Sequence, residues 1–539
     1  MTAIETPQGR IVGSSHEGVR AFLGIPYASA RRFEPPGKPT FHGDLDATHF
    51  GPAAPQNPDK LDALWGAVLA PGAEECLTLN IWAPEVVSER CPVVVWIPGG
   101  AFFIGGSAWP YWHGEALCRG TGAIVVTINY RLGALGFLDL SEFGPGHESS
   151  CNLGILDQIA ALEWVRDHIA LFGGDPERVT LGGQSAGAIS VSCLAAIPRA
   201  RRLFQQMICL SGAPTVIRSP DLAKAVTRKF CRRAKVDSVE GLRKLPVAEV
   251  LRIQNAVIKS TDFGEPQFAP TYGTELIPRP PLHDLATLSD PKPILLGYTR
   301  DEFRLWGLYV PILRTLHAEA LRPWLQLLVG SKADALLQTY RECRPGSTPG
   351  DQSMAILGDV IFSMPVVRLA EATTSAGQPT YVYRLDWATQ AQGGWLGSPH
   401  ALDTPLLFGN QSQPGAREMI APVEASEKVT RAWQVSLAAF LRTGVPTSPI
   451  GEVWTPYDVS QRSVMRIDER WELVSDPGGA EHRTWDGVPF NGVHPDVTNF
   501  PTQWELLRFL LTRLLLRRIA PLLLIVIVLV VILKIVGLW

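Results

Sequence analysis

A serine lies between two glycines in the stretch "LGGQSAG", residues 181–187. Gly183, Ser185 and Gly187 form the pattern Gly-x-Ser-x-Gly, which places a serine on a sharp turn between a strand and a helix. A serine held in this way attacks a carbonyl carbon when a histidine and a carboxylate activate it. For this segment alone, a plain strand–helix turn with Ser185 as a helix cap is the alternative.

The glycine-rich stretch "PGGAFFIGGS", residues 98–107, follows a continuous apolar run. Attack on an ester builds negative charge on the carbonyl oxygen, and preorganised N–H donors must meet that charge. Gly99, Gly100 and Ala101 allow the backbone to approach a substrate closely, and Ala186 adds the N–H that follows the serine. The stretch therefore predicts an oxyanion hole, with an ordinary glycine-rich turn as the alternative.

An acid and a histidine follow the serine in the order that such a site requires. Asp301 and Glu302 come directly after the apolar run "PILLGYT". His400 lies in "GWLGSPHALDTPLLFG", a stretch rich in glycine and proline that follows another strand-like run. These positions make Asp301 or Glu302 and His400 the candidate partners of Ser185.

The elements that must position these residues are short buried strands alternating with helices. β-branched apolar runs predict strands that are buried on both faces, and they lie at 92–97, 123–130, 179–183, 206–212, 293–299 and 380–387. Apolar residues recur at helical spacing between 151 and 174, and residues 301–375 are mainly helical in pattern. The chain is predicted to be an α/β protein with a mostly parallel sheet, helices on both faces and a helical cap.

Composition excludes several classes of function. The 539-residue chain is 46% apolar and 19% charged, which is typical of a globular protein. Its net charge of −3 gives no electrostatic reason to expect that it binds nucleic acid. Eight scattered cysteines form no CxxC pair. We therefore expect reduced thiols, no metal and no cofactor. The sequence leaves the oligomeric state open.

The C-terminal 21 residues, "IAPLLLIVIVLVVILKIVGLW" (519–539), carry one charge, Lys534. As a helix they would span about 31 Å, close to the thickness of the hydrocarbon core. A basic segment, 504–518, precedes them, and its arginines are Arg508, Arg513, Arg517 and Arg518. The N-terminus lacks the basic and apolar regions of a signal peptide. We predict a transmembrane helix at 519–539 with a catalytic body, 1–503, on the cytoplasmic side; a fully wrapped core helix is the alternative.

Across residues 5 to 490 the chain resembles the type-B carboxylesterases of the α/β-hydrolase fold. The motifs that carry this resemblance are "FLGIPYA", "RRFEPP", "EECLTLNIWAP", "WIPGGAFFIG", "NYRLGALGFL", the long run from "CNLGILDQ" to "GGQSAG", "GYTRDEF" and "HALDTPLLFG". The resemblance implies Ser185 as nucleophile, His400 as base and Glu302 as acid, with Asp301 a non-catalytic neighbour. It also implies that the oxyanion donors are the N–H groups of Gly100, Ala101 and Ala186.

The resemblance further implies hydrolysis of carboxylic esters through an acyl-enzyme, with an ester as the small-molecule partner. We expect small to medium lipophilic esters, because a membrane anchor would favour esters that partition into the bilayer. A membrane-tethered adhesion or scaffold protein on the same fold, or a lipase, lactonase or amidase with the same triad, are the alternatives.

This sequence departs from the family pattern at several positions. Pro98 stands where the family usually has His or Tyr, and Gln184 where it often has Glu. Gln184 removes a negative charge near the site, which argues against a preference for cationic substrates. Trp65 lies near the place of a choline-binding Trp, and we interpret it as a packing residue.

The resemblance also predicts two ion pairs and the loss of the family's disulfides. Arg32 is expected to pair with Glu74, and Arg131 with Asp359. Each disulfide lacks at least one half, since the partner position of Cys76 is Ala54, Cys231 has no partner and Met364 stands where a third bridge would begin.

Overall fold

A thirteen-stranded sheet organises the residues that the computed structural model describes, which are 1–6, 9–39, 43–59, 72–259, 267–449 and 453–488. The strands are β1 (Thr2–Thr6), β2 (Gly9–His16), β3 (Val19–Pro26), β4 (Leu45–Asp46), β5 (Thr78–Pro84), β6 (Cys91–Ile97), β7 (Ile124–Ile128), β8 (Gly174–Gln184), β9 (Gln206–Leu210), β10 (Ile294–Thr299), β11 (Thr380–Leu385), β12 (Ser463–Ile467) and β13 (Glu472–Ser475). They run in the order β1-β2-β3-β5-β7-β6-β8-β9-β10-β11-β12-β13, and β4 pairs with β2.

Neighbouring strands from β7 to β12 are parallel, while β1, β2, β3, β5 and β13 add antiparallel edges. The prediction of a mostly parallel sheet is therefore confirmed. The sequence analysis predicted none of the antiparallel strands.

Helices cover both faces of this sheet, as the continuous apolar runs require. In β6, Val93 and Val95 pack into the core beneath the helix Ala186–Ala196, while Val94 and Trp96 pack into a second core beneath the helix Val423–Thr443. The α-helices of the described residues are Glu115–Thr121, Gly133–Phe137, Leu153–His168, Ala186–Ala196, Pro198–Arg201, Pro220–Ala234, Val239–Lys244, Val247–Ile258, Pro281–Leu285, Trp306–Tyr309, Arg322–Val329, Ala333–Cys343, Pro349–Gly358, Met364–Ser375, Asp403–Phe408, Ala416–Met419, Val423–Thr443 and Gly479–Arg483.

The predicted helical cap is a lobe between β10 and β11, and it has an apolar core of its own. Within the described residues, one helical stretch has the length and hydropathy of a membrane span, Pro349–Ser375, and 78% of its most apolar window is buried inside the protein. This stretch therefore packs as part of the lobe. The predicted basic segment 504–518 and transmembrane helix 519–539 lie outside the described residues, as does Trp65.

One of the two predicted ion pairs forms and the other does not. Arg32 Nε donates to Glu74 Oε2 at 2.8 Å, so this prediction is confirmed. The pairing of Arg131 with Asp359 is wrong. Arg131 follows β7 and faces the helix Leu153–His168, where Asp157 accepts from its Nε at 2.8 Å and from its Nη2 at 2.6 Å. Asp359 lies in the helical lobe, where it accepts a hydrogen bond from the Tyr340 hydroxyl.

Asp157→Asn should lower the free energy of unfolding by about 3–5 kcal/mol, because it leaves the buried Arg131 charge without a countercharge. The side chains of Arg131 and Asp157 are 5% and 0% exposed. Urea unfolding measures the loss. Asp167→Asn is the matched control on the same helix. Its partner Arg166 is half exposed, so its loss should be below about 1 kcal/mol. Equal losses in the two variants would contradict the prediction.

All eight cysteines lie within the described residues and are unpaired; seven are buried and Cys343 is exposed. Burial raises the pKa of Cys76 and of Cys209 to about 12, so these thiols are poor nucleophiles in the folded protein. We expect a thiol reagent to label Cys343 first in the native protein, and to detect eight thiols after denaturation without reductant. Materially fewer than eight would reveal a disulfide.

Candidate active site

Ser185 occupies a strained turn at the end of β8. Its φ of 55° and ψ of −123° lie outside the regions that L-residues prefer. Small neighbours make the turn possible: a Cβ on Gly183 would lie 2.4 Å from the carbonyl carbon of Gly187, and a Cβ on Gly187 would lie 2.0 Å from the Ile97 oxygen. The turn leaves Ser185 partly exposed in a run of buried residues, which is the presentation that a nucleophile needs.

The loop after β6 packs against this turn. A Cβ on Gly99 would lie 3.3 Å from the Ser185 Cβ. Gly100, Ala101 and Phe102 all have positive φ, at 122°, 50° and 64°. Within the described residues, no protein group accepts a hydrogen bond from the amides of Gly100, Ala101 or Ala186. Three unused donors beside a serine can receive the oxygen of a tetrahedral intermediate.

Backbone and side-chain contacts hold the loop without help from a side chain at position 98. The Tyr130 hydroxyl donates to the Pro98 oxygen at 3.2 Å, and the Gly133 amide donates to the Phe102 oxygen at 2.7 Å. Gln56 both accepts from the Gly105 amide and donates to its oxygen, each at 2.8 Å. The loop is therefore held in place by these neighbours, although the Pro98 side chain offers no hydrogen bond.

Glu302 and His400 form a buried hydrogen-bonded pair. His400 Nδ1 lies 2.5 Å from Glu302 Oε2, and the two residues are 3% and 2% exposed. The other carboxylate oxygen, Oε1, accepts from the Thr299 amide at 2.8 Å. Both carboxylate oxygens are therefore committed, so Glu302 can fix the orientation of the imidazole and place its proton on Nδ1.

Asp301, the alternative acid, points away from His400. Its Oδ2 accepts from Arg300 Nη2 at 2.9 Å and from the Ser398 amide at 3.0 Å. Asp301 therefore holds the loop that leads to His400, whereas Glu302 contacts the imidazole directly.

Parallel strands explain why residues so distant in sequence meet. The loop after β6 (98–107), Ser185 and Glu302 each follow the carboxyl end of a parallel strand, and His400 lies in the loop beyond a fourth. Within the described residues, no hydrogen bond joins Ser185 to His400. Instead, Gln184 Nε2 lies 3.0 Å from His400 Nε2.

Two aromatic rings beside His400 were missed by the sequence analysis. The rings of Trp306 and Phe362 lie 5.1 and 4.3 Å from the imidazole, and 5.3 Å from each other. Trp306 comes four residues after Glu302, and this proximity could have suggested that its ring lies close to His400. Phe362 lies in the π-helical turn Asp359–Ser363, a feature common at functional sites but without a sequence signal here.

A second buried carboxylate lies three residues beyond His400. Asp403 Oδ2 accepts from the Tyr383 hydroxyl at 2.6 Å. Burial raises the pKa of Asp403 to about 6, and the charge of Glu302 also raises it, while the Tyr383 hydrogen bond and His400 act in the opposite direction. Asp403 is therefore easier to protonate than an ordinary aspartate.

Asp403→Asn should make the free energy of unfolding less dependent on pH between about 4 and 6. In this range the folded protein retains a proton on Asp403 that the unfolded chain, with a pKa of about 3.9, has lost. The free energy of unfolding of the wild type therefore falls as pH rises through the window. Asn abolishes that fall, a gain of roughly 2–3 kcal/mol at pH 7 relative to pH 4. Urea unfolding at a series of pH values measures both free energies. If the free energies of unfolding of the wild type and of Asp403→Asn changed with pH in parallel, the prediction would be contradicted.

The strand order, the serine turn, and the buried acid–histidine pair define the α/β-hydrolase class. Comparison with known proteins narrows the class. The model of the carboxylesterase family matches residues 1–483. The para-nitrobenzyl esterase of Bacillus subtilis is 32% identical over 487 residues, which is 88% of this chain and 96% of that protein.

Two further relatives agree. The phenmedipham hydrolase of Pseudarthrobacter oxydans is 31% identical over 497 residues, 88% of this chain and 97% of that protein. The crystal structure of a Geobacillus stearothermophilus carboxylesterase matches with a TM-score of 0.81 and 33% identity, covering 90% of this chain and 100% of that one. The chain therefore belongs to the type-B carboxylesterase family and is a carboxylesterase, an enzyme that hydrolyses carboxylic ester bonds.

Proposed function

We propose that this carboxylesterase acts on small to medium lipophilic esters through Ser185, His400 and Glu302. The observation that carries the proposal is the buried Glu302–His400 pair, with a 2.5 Å contact, at the same edge of the sheet as the strained Ser185. A serine on a tight turn can act as a nucleophile, and a histidine whose ring is fixed by a carboxylate can act as its base.

The reaction follows from these contacts. His400 Nε2 takes the Ser185 proton as Oγ attacks the ester carbonyl, and the oxyanion is received by the amides of Gly100, Ala101 and Ala186. Protonated His400 gives its proton to the leaving alcohol, and Glu302 stabilises the imidazolium meanwhile. Water, activated by His400, then cleaves the acyl-enzyme.

The surroundings of His400 support the lipophilic substrate class. Trp306 and Phe362 present aromatic faces beside the imidazole. The half-buried side chains of Leu308, Tyr309 and Trp395 pack on the small apolar cluster that contains Leu305. Gln184 replaces a carboxylate next to the site, so no charge at this position favours a cationic alcohol.

A series of para-nitrophenyl esters from acetyl to palmitoyl tests the substrate class. We expect kcat/KM to peak at short to medium acyl chains. A peak at palmitoyl would identify a lipase instead, and faster cleavage of the matched anilides would identify an amidase. Labelling by a fluorophosphonate, followed by peptide mapping, should place the modification on Ser185. A modification on any other serine would overturn the triad.

We further propose that residues 519–539 anchor the enzyme in a membrane with its body on the cytoplasmic side. The support is in the sequence: 21 residues with one charge suit a hydrocarbon core about 30 Å thick. The four arginines between 508 and 518 lie on the body's side of the segment, and basic residues favour the cytoplasmic face. The bilayer lipid would then be a partner, and lipophilic esters would be supplied from it.

Deleting residues 505–539 should release an active esterase into the soluble fraction, while the full-length protein should stay with membranes in alkaline carbonate. Release of the full-length protein by carbonate would reject the anchor. Digestion of the body by protease added outside intact cells would reject the orientation.

A further inference from the structure

Gln184, the last residue of β8, contacts the nitrogen that must take the Ser185 proton. Its amide Nε2 lies 3.0 Å from His400 Nε2, and the residue is 1% exposed. Its side chain passes over Gly99, where a Cβ would lie 2.7 Å from the Gln184 Oε1. The amide is therefore held between the loop after β6 and the imidazole.

The chemistry of the two groups fixes the proton. An amide nitrogen only donates hydrogen bonds, so His400 Nε2 must be an acceptor and carry no proton. Glu302 has both oxygens engaged, and its Oε2 accepts from Nδ1. Gln184 and Glu302 thus select the same neutral tautomer from opposite ends of the ring, the one that can act as a base.

We propose that Gln184 is a positioning residue that keeps His400 Nε2 unprotonated in the resting enzyme and yields this nitrogen to Ser185 when substrate binds. The hydrogen bond from the Gln184 amide to His400 Nε2 is then replaced by one from the Ser185 hydroxyl. Both donors are neutral, so the exchange requires little free energy. This inference rests on the proposed triad.

A carboxylate at position 184 would behave differently. An ionised carboxylate is an acceptor only, so it pairs with Nε2 only when that nitrogen is protonated. The acid form of His400 would then be favoured and the base lost over a wider pH range. The titratable groups that face His400 are Glu302 and Asp403, with Tyr383 as the partner of Asp403, and neither variant proposed here alters them.

The test is the pH dependence of Ser185 labelling by a fluorophosphonate in the wild type, Gln184→Glu and Gln184→Met. In this reaction the Ser185 Oγ–P bond forms, the P–F bond breaks with loss of fluoride, and His400 takes the serine proton. The rate therefore reports the free base of the unliganded enzyme without any dependence on substrate. We expect the acidic limb of the profile of labelling rate against pH to lie at least about one pH unit higher in Gln184→Glu than in the wild type. The labelling rate of this variant should therefore be about tenfold lower at low pH and should recover at high pH.

Gln184→Met is the matched control, since it has similar length but neither charge nor donor. Because Gln184→Met loses only the donor that favours the neutral ring, its acidic limb should move in the same direction as that of Gln184→Glu, but by less. The inference would be overturned if the acidic limbs of the wild type and Gln184→Glu were superimposable, or if the limb of Gln184→Met did not move at all. If Gln184→Glu does not fold, ¹⁵N-histidine spectra decide: the Nε2 signal of neutral His400 should move by several ppm in Gln184→Met, and an unchanged signal would overturn the proposal. Failure of the wild type to label at Ser185 would instead reject the triad.

Discussion

Ser185→Ala should hydrolyse para-nitrophenyl acetate at least about 10⁴-fold more slowly than the wild type, while folding normally. Removing the nucleophile of a serine triad abolishes the acyl-enzyme route and leaves only the contribution of the oxyanion hole and of binding. The fold should survive because Ser185 Oγ makes no hydrogen bond within the described residues, and the backbone bonds of the turn stay. Its amide donates to Leu210 and its oxygen accepts from Ile189.

Ser192→Ala is the matched control for this loss. Ser192 lies in the helix that begins at Ala186, and its hydroxyl donates to the Ala188 oxygen at 3.1 Å. The same loss of a hydroxyl, about two turns beyond Ser185, should leave kcat/KM within about threefold of the wild type, because a single hydrogen bond of this kind contributes only about 1 kcal/mol to folding stability. Turnover of Ser185→Ala within tenfold of the wild type would show that another group is the nucleophile.

The parts of the fold that are visible in the sequence are those with a local cause. β6 and β7 are continuous β-branched runs because both of their faces are buried, and such runs read as strands without further context. The serine turn is readable because its small residues are needed within two positions of Ser185. The β2–β3 hairpin also has a local signal that was missed: its two-residue turn, Glu17-Gly18, has positive φ at both positions, which is the favoured hairpin geometry.

The contacts that the sequence could not give are those set by packing. Arg131 has many carboxylates available, and its choice of Asp157 over Asp359 depends on how the helix Leu153–His168 lies against β7. The contact between Gln184 and His400 spans 216 positions and depends on the path of the loop after β11. Local composition contains no information about either.

The same dependence on three-dimensional contacts decides which acid works with His400, because Asp301 and Glu302 are adjacent and chemically alike. Glu302→Gln should reduce kcat/KM by roughly 10³–10⁴-fold. The reason is the direction of the Thr299 amide, which donates to Glu302 Oε1 at 2.8 Å. A glutamine oxygen must stay at that donor, so its NH₂ group faces His400 Nδ1. That nitrogen then becomes an acceptor, and the proton moves to Nε2, where it is useless to a base.

Asp301→Asn is the comparison that isolates this effect. Asp301 holds Ser398 and Arg300 but does not touch the imidazole, so its loss should lower the thermal midpoint and reduce kcat/KM by less than about tenfold. Both variants are measured across pH with para-nitrophenyl acetate, and urea unfolding followed by circular dichroism corrects for the folded fraction. The ratio of the two effects is the quantity that matters, because any general damage to the loop appears in both. A larger loss in Asp301→Asn than in Glu302→Gln would mean that Asp301 orients His400 in the working enzyme, and the pairing of Glu302 with the imidazole would be structural only.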